Sequence, residues 1–189
     1  MSAAPPELWL ARHGDTAWTV LRRHTSATDL ELNEAGVQAA RALAPKLEGR
    51  RYDLVLSSPL RRALETAHLA GFEPEVDARL REFDYGEYEG ITSAQIRETR
   101  PDWDLWRDGA PGGEMPDDVG RRMDELIVDI RAQAGERALV FGHGHALRIL
   151  AARWLGLPAA EGRRFLLRPA GLGVLGSEYG RAAVARWGV

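Results

Sequence analysis

Arg12 and His13 follow each other at the end of an apolar stretch, in "LARHGDTAW" (Leu10 to Trp18). Two other apolar stretches end in the same residue types. The first, "DLVLS", ends in Ser57 and is followed by Ser58, Arg61 and Arg62, and His143 and His145 follow the second, "RALVFG". Arginine forks converging with a helix N-terminus describe a site for a tetrahedral dianion such as phosphate. A histidine among arginines keeps its neutral form, because like charge opposes protonation. A neutral imidazole nitrogen can act as a nucleophile toward phosphorus. A carboxylic acid opposite it can protonate the departing oxygen, and "LREFDYGEYEG" (Leu80 to Gly90) supplies carboxylates at Glu82, Asp84 and Glu87.

For these groups to meet, the stretches that carry them must be neighbouring strands of one sheet. "ELWLA" (Glu7 to Ala11), "DLVLS" (Asp53 to Ser57) and "RALVFG" (Arg137 to Gly142) read as short buried strands. Helical spacing separates them. Val37, Ala40, Leu43 and Leu47 mark one stripe, with Pro45 inside it working against its end. Ser58 and Pro59 read as a capping hydroxyl and a first-turn proline, opening a helix that runs to about Leu69 and ends at Gly71. Thr92 to Arg100 is a short helix stopped by Pro101, and Val119, Met123, Leu126, Ile127 and Ile130 form the best stripe in the chain. "HGHALRILAARWLG" continues the third strand as an apolar helix, and the tail alternates around Ser177 to Gly180 as a terminal hairpin. Strand–helix alternation predicts an α/β three-layer sandwich with a mostly parallel central sheet flanked by helices, the hairpin at its edge. In such sheets ligands sit beyond the carboxyl ends of the strands.

These segments carry a resemblance. "LARHGDTAW" is similar to the L-x-R-H-G-x-T-x-W signature of the histidine phosphatase superfamily, the phosphoglycerate-mutase-like proteins. "SSPLRRALETA" resembles that family's S-P-x-x-R-A-x-x-T-A signature, "LREFDYGEYEG" its acid-bearing loop, and "VFGHGHALR" its second-histidine motif. "RHTSATDLELNEAG" and "WRDGAPGGE" extend the similarity to a branch of small acid phosphatases and sedoheptulose bisphosphatases. The resemblance implies that His13 is a nucleophile forming a phosphohistidine. It further implies that Arg12, Arg62 and His143 clamp the phosphoryl oxygens, and that Glu82 is the general acid. The implied activity is hydrolysis of small phosphate monoesters, sugar phosphates or bisphosphates, with no cofactor and no metal. A mutase that returns the phosphoryl group to its product is the rival enzyme, and a non-catalytic phosphate-binding module the rival of another class. Many members carry asparagine where this chain has Thr19, whose hydroxyl could still donate to a phosphate oxygen.

Beyond the motifs, His24, Thr25 and Arg107 lie in loops that could line the mouth of the pocket. His145 is expected to cap the following helix or to stand in the layer behind the residues that touch the ligand. The His143-x-His145 spacing invites a metal, but arginines are poor company for a cation. The rest of the chain narrows the class. At 189 residues one domain over 1–189 is expected. A net charge of −3 argues against binding nucleic acid by bulk attraction. Without cysteine, disulfides, thiolate metal sites and a cysteine nucleophile are excluded. "MSAAPPE" lacks the basic and apolar regions of a secretory signal, and no apolar run approaches the roughly 20 residues of a membrane helix. The expectation is a cytoplasmic protein acting on a small phosphorylated substrate. Nothing in the sequence speaks to its oligomeric state.

Overall fold

The computed structural model describes residues 5–189, so most of the "MSAAPPE" segment lies outside the described residues. In chain order the elements are β1 (Glu7–Arg12), α1 (Ala17–Val20), α2 (Glu34–Arg41), α3 (Ala44–Leu47), β2 (Leu54–Ser57), α4 (Arg61–Leu69) and β3 (Glu75–Val76). They continue with α5 (Ser93–Thr99), α6 (Leu105–Asp108), α7 (Pro116–Gln133), β4 (Arg137–Gly142), α8 (Gly144–Trp154), β5 (Leu172–Glu178) and β6 (Arg181–Trp187).

One six-stranded open sheet runs β3-β2-β4-β1-β5-β6. The pairs β2–β3, β2–β4 and β1–β4 are parallel, and β1–β5 and β5–β6 antiparallel. Side chains that alternate along each strand build two cores. Leu8, Leu10, Ala138 and Val140 face α7 and α8; Trp9, Ala11, Leu139 and Phe141 face the layer holding Leu43, Leu47 and Ala67. The sheet is thus covered on both faces, as a largely parallel sheet requires. The α7 stripe expected from spacing is buried at all five positions. Each such side chain contributes about 1.5–3 kcal/mol by leaving water, more than the cap that Asp118 supplies by accepting from Met115 N at 2.7 Å.

Two local expectations fail. The stripe from Val37 to Leu47 is not one helix: it breaks after Arg41, and Pro45 sits in the first turn of α3, where a missing N–H costs nothing. Nor does Ser58 cap the next helix. α4 begins at Arg61, and its Arg61 N–H is capped by Asp29 Oδ1 at 2.7 Å, from the loop before α2. The terminal hairpin forms as expected. Its turn residues Tyr179 and Gly180 both have positive φ (50° and 76°), the requirement of the tight turn that matches strand twist.

Candidate active site

The central strands deliver His13, Ser58 and His143 side by side. Backbone bonds extend the ladder past the strand ends, from His13 N to Gly142 O (3.0 Å) and from Ser58 N to Phe141 O (3.0 Å). Gly14 then lets the loop pass close to α2: a Cβ there would lie 2.5 Å from the Gly36 carbonyl oxygen. Gly14 N also donates to Thr66 Oγ1 (3.1 Å) on α4, which donates to Arg62 O (2.7 Å). The nucleophile candidate and the arginine helix are therefore tied together through the Thr66 hydroxyl.

The His13 ring is almost fully buried, and its Nδ1 lies 2.6 Å from Gly14 O. A carbonyl only accepts, so Nδ1 carries the proton and Nε2 keeps its lone pair. Burial, then Arg12 and Arg62, push the imidazole well below its usual pKa. Arg12 donates from one terminal nitrogen to Leu167 O (2.7 Å), while its buried Nε has no partner. A guanidinium with an unpaired donor and an imidazole with a bare nitrogen, both lining one cavity, suit an anion. The guanidinium lies flat on Gly144, where a Cβ would meet its Cζ at 3.0 Å. Arg62 is fully buried, fixed by the carbonyls of Thr25, Ser26 and Thr28 and by His143 Nδ1 (3.2 Å). His143 also meets Ser58 Oγ through Nε2 (2.7 Å), and its ring centroid is 5.1 Å from that of His13.

Glu82 sits at the N-terminus of α8. Its Oε1 accepts from Phe83 N and Ala146 N (both 2.9 Å), its Oε2 from His145 N alone (3.2 Å). A carboxylate on these amides is held by the helix dipole as well as by hydrogen bonds. One Oε2 lone pair remains for a proton. Arg12, His13 and Glu82 open on one cavity of about 280 Å³, whose mouth carries Arg22, Arg23 and Arg148. The cations outnumber Glu82, so the field favours an anion.

The remaining sequence candidates fall in different places. Thr19 lines the cavity, but its hydroxyl donates to Thr16 O (2.8 Å) inside the α1 capping box, so it is not free to donate to phosphate as expected. Thr25 also lines it; its carbonyl holds Arg62 while its hydroxyl turns to Arg23 O. His24 and His145 form the wall shared with a second, outer cavity of about 440 Å³. Burial lowers the His24 pKa to about 4. His145 Nδ1 is hydrogen-bonded with Tyr85 Oη at 2.6 Å, so its ring lines the wall and does not cap α8; Glu82 does that. Arg107 belongs to the outer cavity only, and its fork is taken by Asp108. Asp84 and Glu87 are exposed and do not line the His13 cavity, and Arg61 faces solvent in a pair with Glu31. Among the described residues no three His, Asp or Glu side chains gather as a metal-ligating group.

Sequence reasoning passed over Tyr85, Ser93 and Arg148, all on the cavity wall. Arg148 had a legible signal: three residues after His145 on a helix, it shares that face. Tyr85 and Ser93 had none, because the loop of Tyr85 and the start of α5 at Ser93 are brought to the cavity only by the tertiary fold.

The sequence profile of the histidine phosphatase superfamily (branch 1) matches residues 8–189. The chain belongs to the histidine phosphatase superfamily. An acid phosphatase of Mycobacterium tuberculosis is 42% identical over 186 residues, covering 96% of this chain and 92% of that protein. A sedoheptulose 1,7-bisphosphatase of Saccharomyces cerevisiae is 33% identical, covering 83% of this chain and 70% of its own. A probable phosphoglycerate mutase of Photorhabdus laumondii is also 33% identical, covering 96% and 89%. A solved mycobacterial glucosyl-3-phosphoglycerate phosphatase complexed with VO3 superposes with a TM-score of 0.87 at 32% identity, over 97% and 99% of the two chains. The histidine phosphatase is accordingly an enzyme, and its activity is that of a phosphatase.

Proposed function

We propose that this histidine phosphatase hydrolyses small phosphate monoesters, sugar phosphates among them, through a phosphohistidine at His13. The observation that carries the reading is the His13 ring, with Nδ1–H committed to Gly14 O and Nε2 left bare, in a cavity that Arg12 also lines. Nε2 attacks phosphorus in line, the P–O ester bond breaks, and the departing oxygen takes a proton delivered through Glu82 Oε2, which receives it from the bound monoester monoanion. Water then attacks the phosphohistidine, giving its proton to Glu82, and phosphate leaves. Arg12, Arg62 and His143 stabilise charge on the phosphoryl oxygens, the main task in such transfers. The leaving group extends toward the outer cavity, past His24, Ser93 and His145, which line both spaces.

The test is phosphate release from nitrophenyl phosphate and a panel of sugar phosphates, with labelled phosphate trapped on the protein by rapid quenching without acid. His13→Ala should fold, lose turnover and lose the label. Turnover should survive a strong chelator, since the arginines supply the positive charge. Substantial turnover by folded His13→Ala would overturn the nucleophile. Isomerisation of 3-phosphoglycerate to 2-phosphoglycerate in place of hydrolysis would make the protein a mutase.

A further inference from the structure

We propose that Arg122, on α7, is the positioning residue of the proton donor: together with Glu114 it fixes the backbone that aims Glu82, and so sets how well the enzyme expels a poor leaving group. The inference rests on the reading of Glu82 as the group that delivers the proton, and adds what holds that group in line.

The segment that carries Glu82 has little regular structure of its own. A single 3-10 turn closes at Leu80, and residues 81–85 belong to no helix or strand. Glu82 and Phe83 are buried, so the backbone polar groups beside them need partners. Two residues far along the chain supply them. Arg122 donates from Nη1 to the carbonyls of Arg79 and Arg81, and from Nη2 to that of Glu82 (3.1 Å). Glu114 takes the other side: its Oε2 accepts from Asp84 N (2.8 Å), and its own N–H donates to Asp84 O (2.9 Å). A fork joins the two side chains, Arg122 Nε to Glu114 Oε1 (2.9 Å) and Nη2 to Oε2 (3.0 Å). The main chain is thus gripped on both sides of the acid.

Position is what this grip supplies. The Arg122 charge is matched by Glu114 in a bidentate pair, whereas its three carbonyl bonds fall on the main chain at and before Glu82. The far end of the Glu82 side chain sits on Phe83 N, Ala146 N and His145 N. Those amides draw both oxygens toward α8. A backbone fixed at the opposite end keeps the remaining Oε2 lone pair turned to the His13 cavity. A displacement of about 1 Å in such a transfer can cost about 10²-fold. Arg122 and Glu82 also border another cavity, of about 320 Å³, that His13 does not line. Water there can reach the carbonyls that a substitution releases, so the acid should loosen while the chain stays folded.

Dependence on the leaving group reads this role. An acid matters in proportion to the basicity of the departing oxygen. The measurement is kcat/KM over phosphate monoesters running from nitrophenyl to alkyl and sugar, with urea unfolding beside it. Arg122→Met keeps the stem and removes every donor. It should slow alkyl and sugar esters by roughly 10- to 10²-fold and nitrophenyl phosphate by far less. Glu114→Gln keeps an acceptor for Asp84 N but loses the charge that grips Arg122, and should give the same pattern in smaller degree. Arg122→Lys, whose single ammonium cannot serve Glu114 and three carbonyls at once, carries the same expectation should Arg122→Met prove unstable. Adding Arg122→Met to Glu82→Gln should slow alkyl esters no further, because an absent acid cannot be misaimed. Inhibition by sulfate, which reads the anion pocket without a leaving group, should be unchanged in Arg122→Met. Equal losses across the esters in a folded variant, a further loss in the double variant, or weakened sulfate inhibition would overturn the inference, leaving Arg122 a support of the fold. So would wild-type behaviour of Arg122→Met and Glu114→Gln beside a leaving-group-dependent loss in Glu82→Gln. Equal losses in Glu82→Gln itself would instead overturn the proton donor, and the inference with it.

Discussion

Glu82 shows how one side chain takes two duties from its position. Its carboxylate caps α8 through His145 N and Ala146 N, and it faces the cavity shared with His13. Glutamine keeps a carbonyl oxygen for one of these amides and cannot deliver the proton. Glu82→Gln should therefore slow hydrolysis of an alkyl or sugar phosphate by about 10²-fold or more, and that of nitrophenyl phosphate, whose leaving group departs unprotonated, by much less. Steady-state kinetics on the two substrates checks this. Equal losses on both would mean that Glu82 only positions the helix. Arg107 makes the opposite point. It was expected at the mouth of the pocket, but it lines the outer cavity and Asp108 occupies its fork there.

At the scale of elements, the site depends on how helices begin. α4 carries Arg62 in its first turn, and the N–H of Arg61 is satisfied by Asp29 rather than by the local Ser58. The same loop accepts from Arg62 through Thr25, Ser26 and Thr28, and Glu89 holds it by accepting from Ser26 and Thr28 amides. The cap and the guanidinium clamp thus share one loop. Asp29→Ala should cost about 1 kcal/mol of stability, the usual worth of a cap, with a further fall in kcat/KM as the loop loosens around Arg62. Urea unfolding beside kinetics tests both. An unchanged unfolding midpoint would return the cap to Ser58.

The whole molecule buries His13, His24, His143 and His145 around one pocket and lowers the pKa of all four. Each is neutral when folded and titrates near 6.5 when unfolded. Below that value the unfolded chain binds more protons, so stability is full at pH 7 and falls as pH drops through 6.5 toward the folded values. For His24, at about 4, the loss is about 3 kcal/mol across that window. The carboxylates with lowered pKa, Asp77 and Asp108 among them, act in the same direction only below about 4. The urea midpoint should therefore drop steeply between pH 7 and 4.5, and His24→Gln should flatten part of that slope. A midpoint constant over this range would show that the histidines are not buried neutral.

What the sequence determined by itself is the local and the periodic. β1, β2, β4, the α7 stripe and the terminal hairpin follow from spacing, because a strand or helix buried on the sheet must repeat its apolar residues with the element's own period. That Arg12, His13, Arg62, Glu82 and His143 gather in one place was also legible, since each stands in a short motif, Glu82 in a loop and the others at a strand or helix end. The partners of those residues were not legible. That Ser58 serves His143 and not α4, that Asp29 supplies the missing cap, and that Thr19 turns its hydroxyl inward all depend on groups far apart in the chain or on which way a rotor points. A hydrogen bond is decided within a few tenths of an ångström, and only the packed tertiary structure fixes distances that finely.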